Sequence, residues 1–535
     1  MSMELTDQPA HPPVTPAPAP IWRRAWGVIQ RMDQRFDRLP GASALAVLLV
    51  GGVILGVGAA LRARSGVNPP SFWYDDIWPS VLARRSSLRH FFELHSPIPI
   101  GFIAFLKLSE GILGQSHLAL QLPAVIFYGL SALMTAALVA RATGRVSVGL
   151  LAGVAIASHR EFAFWAIRPK QFTLDVLVTG ILLALALAFF EKPTLRRYCV
   201  LAGVALGALF FSVPSVFIGP LLLHCAALVL VLPGRPAWVR RGRVLAVAAA
   251  FDAVVLALFL LLWRQQSTPA LESYWEAGFM PRDAAGAFKF MTTGPIVNFI
   301  IDALCRIPWT PLLLIPGLIS ALRSRLWPLV LFVLILVIEL FTLSYLRIFP
   351  LSGGRLGAFL APVVLLLCGL GVAALVVRLP LLPLLGTLAL MGFVCRECWT
   401  EPVSYVGAGE KQAVERAEEL LKPGDLLVCE PGGALAAALY ARWPASLHHV
   451  TTTLTQFDVT LTIPGAAAVI VPDFWRHSLQ AGAGALQASV RRVVVLGSQA
   501  PGSMYDSATG FFNEGGFATV ENRKVNASFL GVYER

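Results

Sequence analysis

The chain has 535 residues, of which 56% are hydrophobic and only 14% are charged, and its formal net charge is +12. A soluble globular chain averages about 25% charged residues, and no single core could hide this much apolar surface from water. Composition therefore excludes a soluble globular protein and predicts an α-helical polytopic membrane protein. Arginines sorted to cytoplasmic loops explain the positive charge, so we expect membrane lipids as partners and no nucleic acid.

The first 41 residues begin with a Pro- and Ala-rich stretch that is too poor in large apolar side chains to fold. They are predicted to form a partly disordered cytoplasmic tail. The apolar run 42–61 begins too late for a cleaved signal peptide and is interpreted as a retained first helix. Apolar runs of spanning length predict about eleven transmembrane helices, at 42–61, 118–140, 146–160, 172–190, 198–212, 215–232, 244–263, 309–322, 327–346, 356–377 and 380–395.

The arginines test this count. With the N-terminus in the cytoplasm, every short basic loop falls on the cytoplasmic side. We therefore predict a multi-pass protein of the bacterial cytoplasmic (inner) membrane, with a transmembrane domain at 42–398 and the loop 62–117 outside. The basic groups behind this topology are Arg23 to Arg38, Arg141 with Arg145, Lys192 with Arg196 and Arg197, Arg235 to Arg243, Arg323 with Arg325, and Arg378.

Two regions outside the spans have a recognisable pattern. Within the loop 62–117, the stretch 96–113 is apolar but interrupted by Pro, Lys and Glu, which predicts an amphipathic helix in the outer interface. Residues 399–535 alternate short buried-strand and helix patterns, which predicts a small extracytoplasmic α/β domain. In that domain, Gly432 and Gly433 follow a strand, and an ordinary turn is favoured over a phosphate-binding one because a full GxGxxG is missing.

The stretch "SFWYDDIWPS" at 71–80 places Asp75 and Asp76 among Trp73, Tyr74 and Trp78, just outside the first predicted span. One interpretation is a solvated acidic pair that balances Arg84 and Arg85. The other is a functional pair at headgroup level, where aromatic residues are enriched. Other polar residues predicted at the same depth favour the second interpretation.

Those residues are mainly cations, which the positive-inside rule disfavours on the outer side. Singly, each could snorkel to lipid headgroups, but as a group they predict a site for a phosphorylated lipid. They are Arg168 and Lys170 in "FWAIRPKQFTLD", Arg347 and Arg355 in "YLRIFPLSGGRLGAFLAP", and the imidazole of His95 in "ELHSPIP".

Such a group suits the transfer of a sugar from a polyprenyl phosphate, because fixed cations stabilise the departing phosphate. Asp75 is predicted to be the base that deprotonates the attacking hydroxyl, with a pKa raised by partial desolvation and by its acidic neighbour. One base opposite the leaving group would invert the anomeric centre. Asp76 could position Asp75, bind the acceptor, or help to hold a divalent metal ion, and no other cofactor is indicated.

These motifs resemble those of GT-C type membrane glycosyltransferases, in particular the group of protein O-mannosyltransferases and lipid A aminoarabinose transferases (glycosyltransferase family 39-like). "YDD" (74–76) stands in the place of the family's acidic pair. "HSPIP" (95–99), "RPKQF" (168–172) and "GGRLGAFLAP" (353–362) are similar to later family elements. The resemblance implies a polyprenyl-phosphate sugar donor, transfer on the outer face of the membrane, and positioning or acceptor roles for His95, Trp73, Tyr74 and Gln171.

The acceptor, whether lipid, glycan or protein, stays open. Two other functions also fit the sequence: a lipid-linked glycan transporter (flippase), and a ligase or polymerase that uses a diphosphate carrier. A transporter is expected to line a central cavity with charge at mid-membrane depth. The candidates for such a cavity are Glu339, Asp252, Asp175 and His224, of which Glu339 and His224 could equally be buried, hydrogen-bonded polar residues.

Overall fold

The structure is a computed structural model of the chain. It describes residues 50–54, 56–58, 60, 66–67, 69, 71–85, 98–231, 238–258, 260, 276–294, 310–351, 357–376, 409–448, 458–471, 479–480, 490–498, 502–525 and 528–535. The predicted tail 1–41, the run 380–395 and the site residues His95 and Arg355 lie outside the described residues.

The first half of the chain is helical. Residues 50–54, 56–58 and 60 are helical and begin the described part of the chain. The helices that follow are α1 (Tyr74–Arg85), α2 (Ile100–Leu113), α3 (His117–Thr143), α4 (Val146–Ser158), α5 (Arg160–Ala166), α6 (Phe172–Glu191), α7 (Leu195–Ala208), α8 (Ser215–Val231), α9 (Trp238–Leu258), α10 (Ala284–Thr293), α11 (Thr310–Arg323), α12 (Trp327–Tyr345) and α13 (Ala361–Val376).

Local sequence explains several of these boundaries. The Ser116 hydroxyl accepts from the Ala119 N–H and caps α3, and Thr194 caps α7 through the Arg197 N–H. At the other end of α3, Gly144 has φ +68°, a conformation that favours glycine and lets the chain turn directly into α4.

Among the described residues, four helical segments are long and apolar enough to cross a membrane: His117–Thr143, Phe172–Glu191, Trp327–Tyr345 and Ala358–Leu375. Three shorter apolar segments, Val146–Ser158, Ser215–Val231 and Leu312–Arg323, also coincide with predicted spans. The structure thus agrees with a multi-pass helical protein, whereas the count of about eleven spans is not confirmed. α9 is long enough but is not in this set, since arginines fill its first turns and Asp252 interrupts its apolar part.

The predicted helix within 96–113 is present as α2. Its buried side includes Phe102, Ile103 and Leu106, while Leu108 and Ile112 are exposed. An exposed apolar side agrees with a helix that contacts lipid, and its depth in the membrane stays a prediction.

The C-terminal part contains a mixed sheet of five strands in the order β4-β1-β5-β7-β6. β4, β1 and β5 are parallel, and β7 and β6 are antiparallel to their neighbours. The elements are α14 (Glu410–Leu420), β1 (Leu426–Cys429), α15 (Pro431–Tyr440), β2 (Ala445–His448), β3 (Asp458–Leu461), β4 (Ala467–Ile470), β5 (Arg492–Ser498), α16 (Gly502–Glu514), β6 (Ala518–Val525) and β7 (Ser528–Glu534).

Strand alternation divides this sheet between two hydrophobic clusters. Leu427 and Leu496 point toward α14 and α15 and join the large cluster that also contains the membrane helices. Val428 and Val495 belong to a second cluster with residues of α16 and β7, such as Phe512. The described residues of 409–535, named here the C-terminal α/β unit, therefore pack against the helical part through one face of the sheet. The side of the membrane on which this unit lies stays a prediction.

The turn at Gly432 and Gly433 is the N-terminus of α15. The Glu430 carboxylate accepts hydrogen bonds from both glycine N–H groups at 2.6 Å, and from the Ser498 N–H at 2.7 Å. These donors are the ones that a phosphate would need. The chain's own carboxylate occupies them, which agrees with an ordinary capped turn.

Glu430 gives this unit a predicted pH dependence. Burial raises the pKa of its carboxyl to about 7, against the effect of its three N–H donors. A raised folded-state pKa means that stability is fully present below the unfolded value and is lost as pH rises toward the folded value. We expect the free energy of unfolding of the C-terminal α/β unit to fall by on the order of 1 kcal/mol for each step of one in pH between about 4.5 and 7. Hydrogen exchange of β1 and α15 in the full chain measures this free energy at each pH. In the Glu430→Gln variant, its dependence on pH should disappear. A slope that Glu430→Gln retains would assign it to another group.

Candidate functional site

The acidic pair lies in the first turn of α1. The Trp73 carbonyl accepts from the Asp76 N–H at 2.8 Å and from the Ile77 N–H at 3.1 Å, so the helix begins directly after the tryptophan. Carboxylates in the first turn interact favourably with the helix dipole. The two acids are therefore part of a regular helix and not of an exposed loop.

Asp76 forms a buried ion pair with Arg168. The Arg168 Nε–H donates to both carboxylate oxygens of Asp76 at 2.8 Å. Both residues are almost inaccessible, with 0% of Asp76 and 1% of Arg168 exposed. The guanidinium also lies 4.7 Å from the centre of the Trp73 ring and 5.3 Å from that of Trp165. Arg168 is thus an ion-pair partner of Asp76. The sequence predicts only that Arg168 binds the donor phosphate.

Asp75 has a different environment. Its side chain is 24% exposed, the Lys170 Nζ is 3.6 Å from Oδ1, and the Arg168 Nη2 is 3.7 Å from Oδ2. Two cations therefore lie within 4 Å of the Asp75 carboxylate, one on each of its oxygens. Asp75 is accordingly the accessible member of the pair and lies beside two positive charges.

The segment between α5 and α6 brings these cations to the acids. Turns in this segment are closed by hydrogen bonds from the Arg168 N–H to the Trp165 carbonyl and from the Lys170 N–H to the Arg168 carbonyl. The buried Gln121 amide of α3 donates to the carbonyls of Gly66 and Ile167 and ties the segment to the helical core. Because a buried amide of this kind makes no motif, sequence reasoning did not identify Gln121.

Gln171 directly follows Lys170 in the chain. It is 8% exposed, and its Oε1 atom accepts no hydrogen bond within the part of the chain that the structure describes. A buried acceptor without a donor is unusual and points to a ligand or water that supplies one. Asp175, one turn further along α6, is also buried. Its Oδ1 atom likewise accepts no hydrogen bond from the described residues.

Arg347 has other partners. Its guanidinium donates to the two carboxylate oxygens of Glu276 at 2.5 and 2.8 Å, and it lies 5.1 Å from the centre of the Phe279 ring. The hydrogen bonds from Arg347 lower the pKa of the Glu276 carboxyl. With φ +62°, Arg347 is also the only non-glycine residue with a positive φ among those described, a strained conformation that is often associated with function.

The alternative interpretation of the acids, as partners of Arg84 and Arg85, is wrong. Arg84 forms a nearly buried ion pair with Glu110 of α2 at 2.5 Å, and Arg85 donates to the Ala438 carbonyl of α15 at 2.9 Å. Glu110 is one of the polar interruptions that the sequence shows in 96–113. Its partner could not be identified without the tertiary structure.

A divalent cation fits the acid pair poorly. The Nε–H of Arg168 already bonds both oxygens of Asp76, so a metal ion there would face a guanidinium. Among the described residues, no group of three or more His, Cys, Asp or Glu side chains could hold a metal ion.

Two of the polar residues expected at mid-membrane depth, His224 and Asp252, lie at an exposed contact between two helices. His224 Nε2 and Asp252 Oδ2 are within hydrogen-bond distance at 3.1 Å between α8 and α9, with side chains 52% and 44% exposed. The interpretation of His224 as a buried polar residue is therefore wrong. The exposure of His224 on the outside of the bundle gives no support to a transport pathway.

The tertiary arrangement matches that of a known membrane protein. ArnT from Cupriavidus metallidurans, a lipid A aminoarabinose transferase, aligns in the apo state with a TM-score of 0.51 at 14% identity, over 92% of this chain and 98% of ArnT. The chain has the fold of ArnT. The resemblance to GT-C type enzymes that the motifs predict is thereby confirmed at the level of the fold.

Other comparisons add less. ArnT bound to undecaprenyl phosphate aligns over the same shares of both chains, with a TM-score of 0.50 and 14% identity. The apo oligosaccharyltransferase of Archaeoglobus fulgidus aligns with a TM-score of 0.48 and 11% identity over 85% of this chain and 70% of that chain, too weak a similarity to carry an argument. No protein family model and no curated protein matches the chain.

Proposed function

We propose that this protein is an integral-membrane glycosyltransferase that moves a monosaccharide from a polyprenyl-phosphate-linked donor to an acceptor hydroxyl on the outer face of the cytoplasmic membrane. One observation carries the proposal: in an ArnT-like fold, an accessible carboxylate, Asp75, faces the buried cations Lys170 and Arg168 at 3.6 and 3.7 Å. The undecaprenyl phosphate bound to the structural neighbour ArnT supports a carrier of this class.

The proposed reaction has three parts. Asp75 accepts the proton of the acceptor hydroxyl as its oxygen attacks the anomeric carbon. The bond between that carbon and the phosphate oxygen breaks, and the phosphate leaves with the electron pair, so a single displacement inverts the anomeric centre. Lys170 stabilises the departing phosphate, since an ammonium ion at a partly dehydrated site interacts strongly with developing negative charge.

Arg168 acts differently in this scheme. Its Nε–H bonds Asp76, which compensates one of the two acidic charges and keeps the pair from repelling each other. Asp76 in turn fixes Arg168 under the Trp73 ring. Arg347 and Arg355 remain proposed phosphate ligands, and Gln171, His95, Trp73 and Tyr74 remain proposed contacts to sugar or acceptor.

Lys170→Met tests the phosphate role directly. We expect the affinity for undecaprenyl phosphate to fall about 10- to 100-fold, because a charge-assisted hydrogen bond contributes about 1.5 to 3 kcal/mol. Binding is measured with the full-length protein in nanodiscs, and Lys289→Met on the exposed helix α10 is the matched control. Equal affinities of the two variants would remove Lys170 from the phosphate site.

The most direct test of the whole proposal compares lipid-linked sugars and envelope glycans of cells with and without the protein. Loss of the enzyme should cause a polyprenyl-phosphate monosaccharide to accumulate, which also identifies the donor. Purified protein should then transfer one sugar from that donor. Movement of the labelled lipid across vesicles without a new glycosidic bond would favour a flippase, and transfer of a whole chain would favour a ligase or polymerase.

A further inference from the structure

The segment that leads into the acid-pair helix is bound by the C-terminal α/β unit. The Phe72 N–H donates to the Tyr440 hydroxyl at 2.7 Å. The Ser71 hydroxyl lies 3.4 Å from the Glu410 carboxylate and accepts from the Lys411 N–H at 3.1 Å. These partners are more than 330 residues away in the sequence, so only the tertiary fold brings them together.

The other end of α1 is bound by the same part of that unit. Arg84 donates to the Leu439 carbonyl at 3.0 Å and Arg85 to the Ala438 carbonyl at 2.9 Å. These carbonyls belong to the last turn of α15, where helix carbonyls lack a partner within the helix. Three consecutive residues, 438–440, therefore contact both ends of the helix that carries Asp75 and Asp76.

The Ser71–Phe72 segment connects directly to the acids. Phe72 is fully buried, and its ring lies 4.3 Å from the ring of His117, which also contacts the Tyr440 ring edge-on at 5.6 Å. The next residue is Trp73, whose carbonyl accepts the Asp76 N–H and whose ring covers the Arg168 guanidinium. A shift of the Phe72 backbone therefore shifts the first turn of α1.

From these contacts we infer that the C-terminal α/β unit sets the position of the acid pair, with Tyr440 as a positioning residue. The effect on catalysis rests on the proposed function, whereas the effect on α1 does not. Misplacement of a reacting group by about 1 Å can cost about 10²-fold in rate, so one hydrogen bond at this junction can control turnover.

Tyr440→Phe is the variant that removes only the hydroxyl, and Tyr533→Phe is its matched control. Tyr533 is a fully buried tyrosine of β7 in the same unit, and its hydroxyl bonds Thr509 at 2.9 Å. Both variants lose one hydroxyl from a buried tyrosine, but only the Tyr440 hydroxyl bonds the Ser71–Phe72 segment. Ser71→Ala is a second variant that loosens the same junction through its bonds to Glu410 and Lys411.

Two measurements on the full-length protein in nanodiscs test the inference. Hydrogen exchange of residues 71–77 should become about tenfold faster in Tyr440→Phe and in Ser71→Ala, and stay within twofold of wild type in Tyr533→Phe. Single-turnover transfer, with the donor isolated from cells that lack the protein, should slow about tenfold in the first two variants. Their affinity for undecaprenyl phosphate should stay within twofold of wild type.

Several outcomes would overturn the inference. Equal exchange in Tyr440→Phe and Tyr533→Phe would show that the junction does not hold α1. If Tyr440→Phe and Ser71→Ala exchange faster but transfer sugar at the wild-type rate, the junction does not position the acids for catalysis. The same conclusion follows if these variants lose carrier affinity and transfer rate equally. If the wild type transfers no sugar at all, the proposed function fails, while the exchange comparison still decides whether the unit holds α1.

Discussion

Replacing Asp75 by asparagine is expected to lower the rate of sugar transfer by about 10²- to 10⁴-fold, the range for loss of a general base. Asparagine has nearly the same shape but cannot accept the proton of the attacking hydroxyl. The Asp75 side chain is partly exposed, and Arg168 keeps its hydrogen bonds to Asp76, so the fold should persist. Transfer is measured in proteoliposomes with the carrier-bound donor.

A matched substitution separates the loss of the base from a general effect of removing an acid. Asp283 caps the N-terminus of α10 by accepting from the Gly286 N–H at 2.7 Å, and asparagine caps helices about as well as aspartate. Asp283→Asn should retain wild-type transfer. If Asp75→Asn retains substantial turnover, Asp75 is not the base and the proposed mechanism is wrong.

Replacing Asp76 by asparagine is expected to act mainly on stability. The Arg168 guanidinium would keep its place in a buried, aromatic site but lose its principal counter-charge. Breaking a buried pair by removing one partner typically costs about 3 to 5 kcal/mol, because the remaining charge is uncompensated. Reversible unfolding in mixed micelles measures the change, and transfer should be lost as well, since α1 is no longer fixed to Arg168.

Two further variants make this prediction specific. Glu191→Gln breaks the exposed ion pair with Arg141, whose side chains are 45% and 44% exposed, and should cost no more than about 1 kcal/mol. The double variant Asp76→Asn, Arg168→Met should be more stable than the sum of the single changes predicts, because it removes the unpaired charge. Simple additivity would show that Arg168 and Asp76 do not depend on each other.

The division of roles between the two acids follows from burial, which the sequence does not show. Side by side in "YDD", the residues look equivalent. In the helix, consecutive side chains point about 100° apart, so one faces the core and one faces outward. The fully buried Asp76 becomes a structural partner of Arg168, and Asp75 keeps the access that a reacting group needs.

Much of the site could be predicted from local patterns. Aromatic residues around two acids, and cations predicted on the outer side against the charge rule, pointed to residues 73–76 and 168–171. The structure brings Asp75 and Asp76 together with Arg168 and Lys170. The same reasoning grouped Arg347 with them, whereas its described contacts are with Glu276 and Phe279. Sidedness locates a residue along the membrane normal but says nothing about which helices are neighbours.

The sequence by itself determined that much of the chain lies in a membrane, and it supplied a set of candidate polar residues. Apolar runs must lie in lipid or in a core, and charges among them must be sorted, so composition and order suffice for the helical membrane class and the candidate residues. Only the tertiary structure decided which charges meet. Pairs such as Arg168 with Asp76, Arg84 with Glu110, and Phe72 with Tyr440 join residues 26 to 368 positions apart. Long-range pairing of this kind depends on helix packing and docking, which no local pattern encodes.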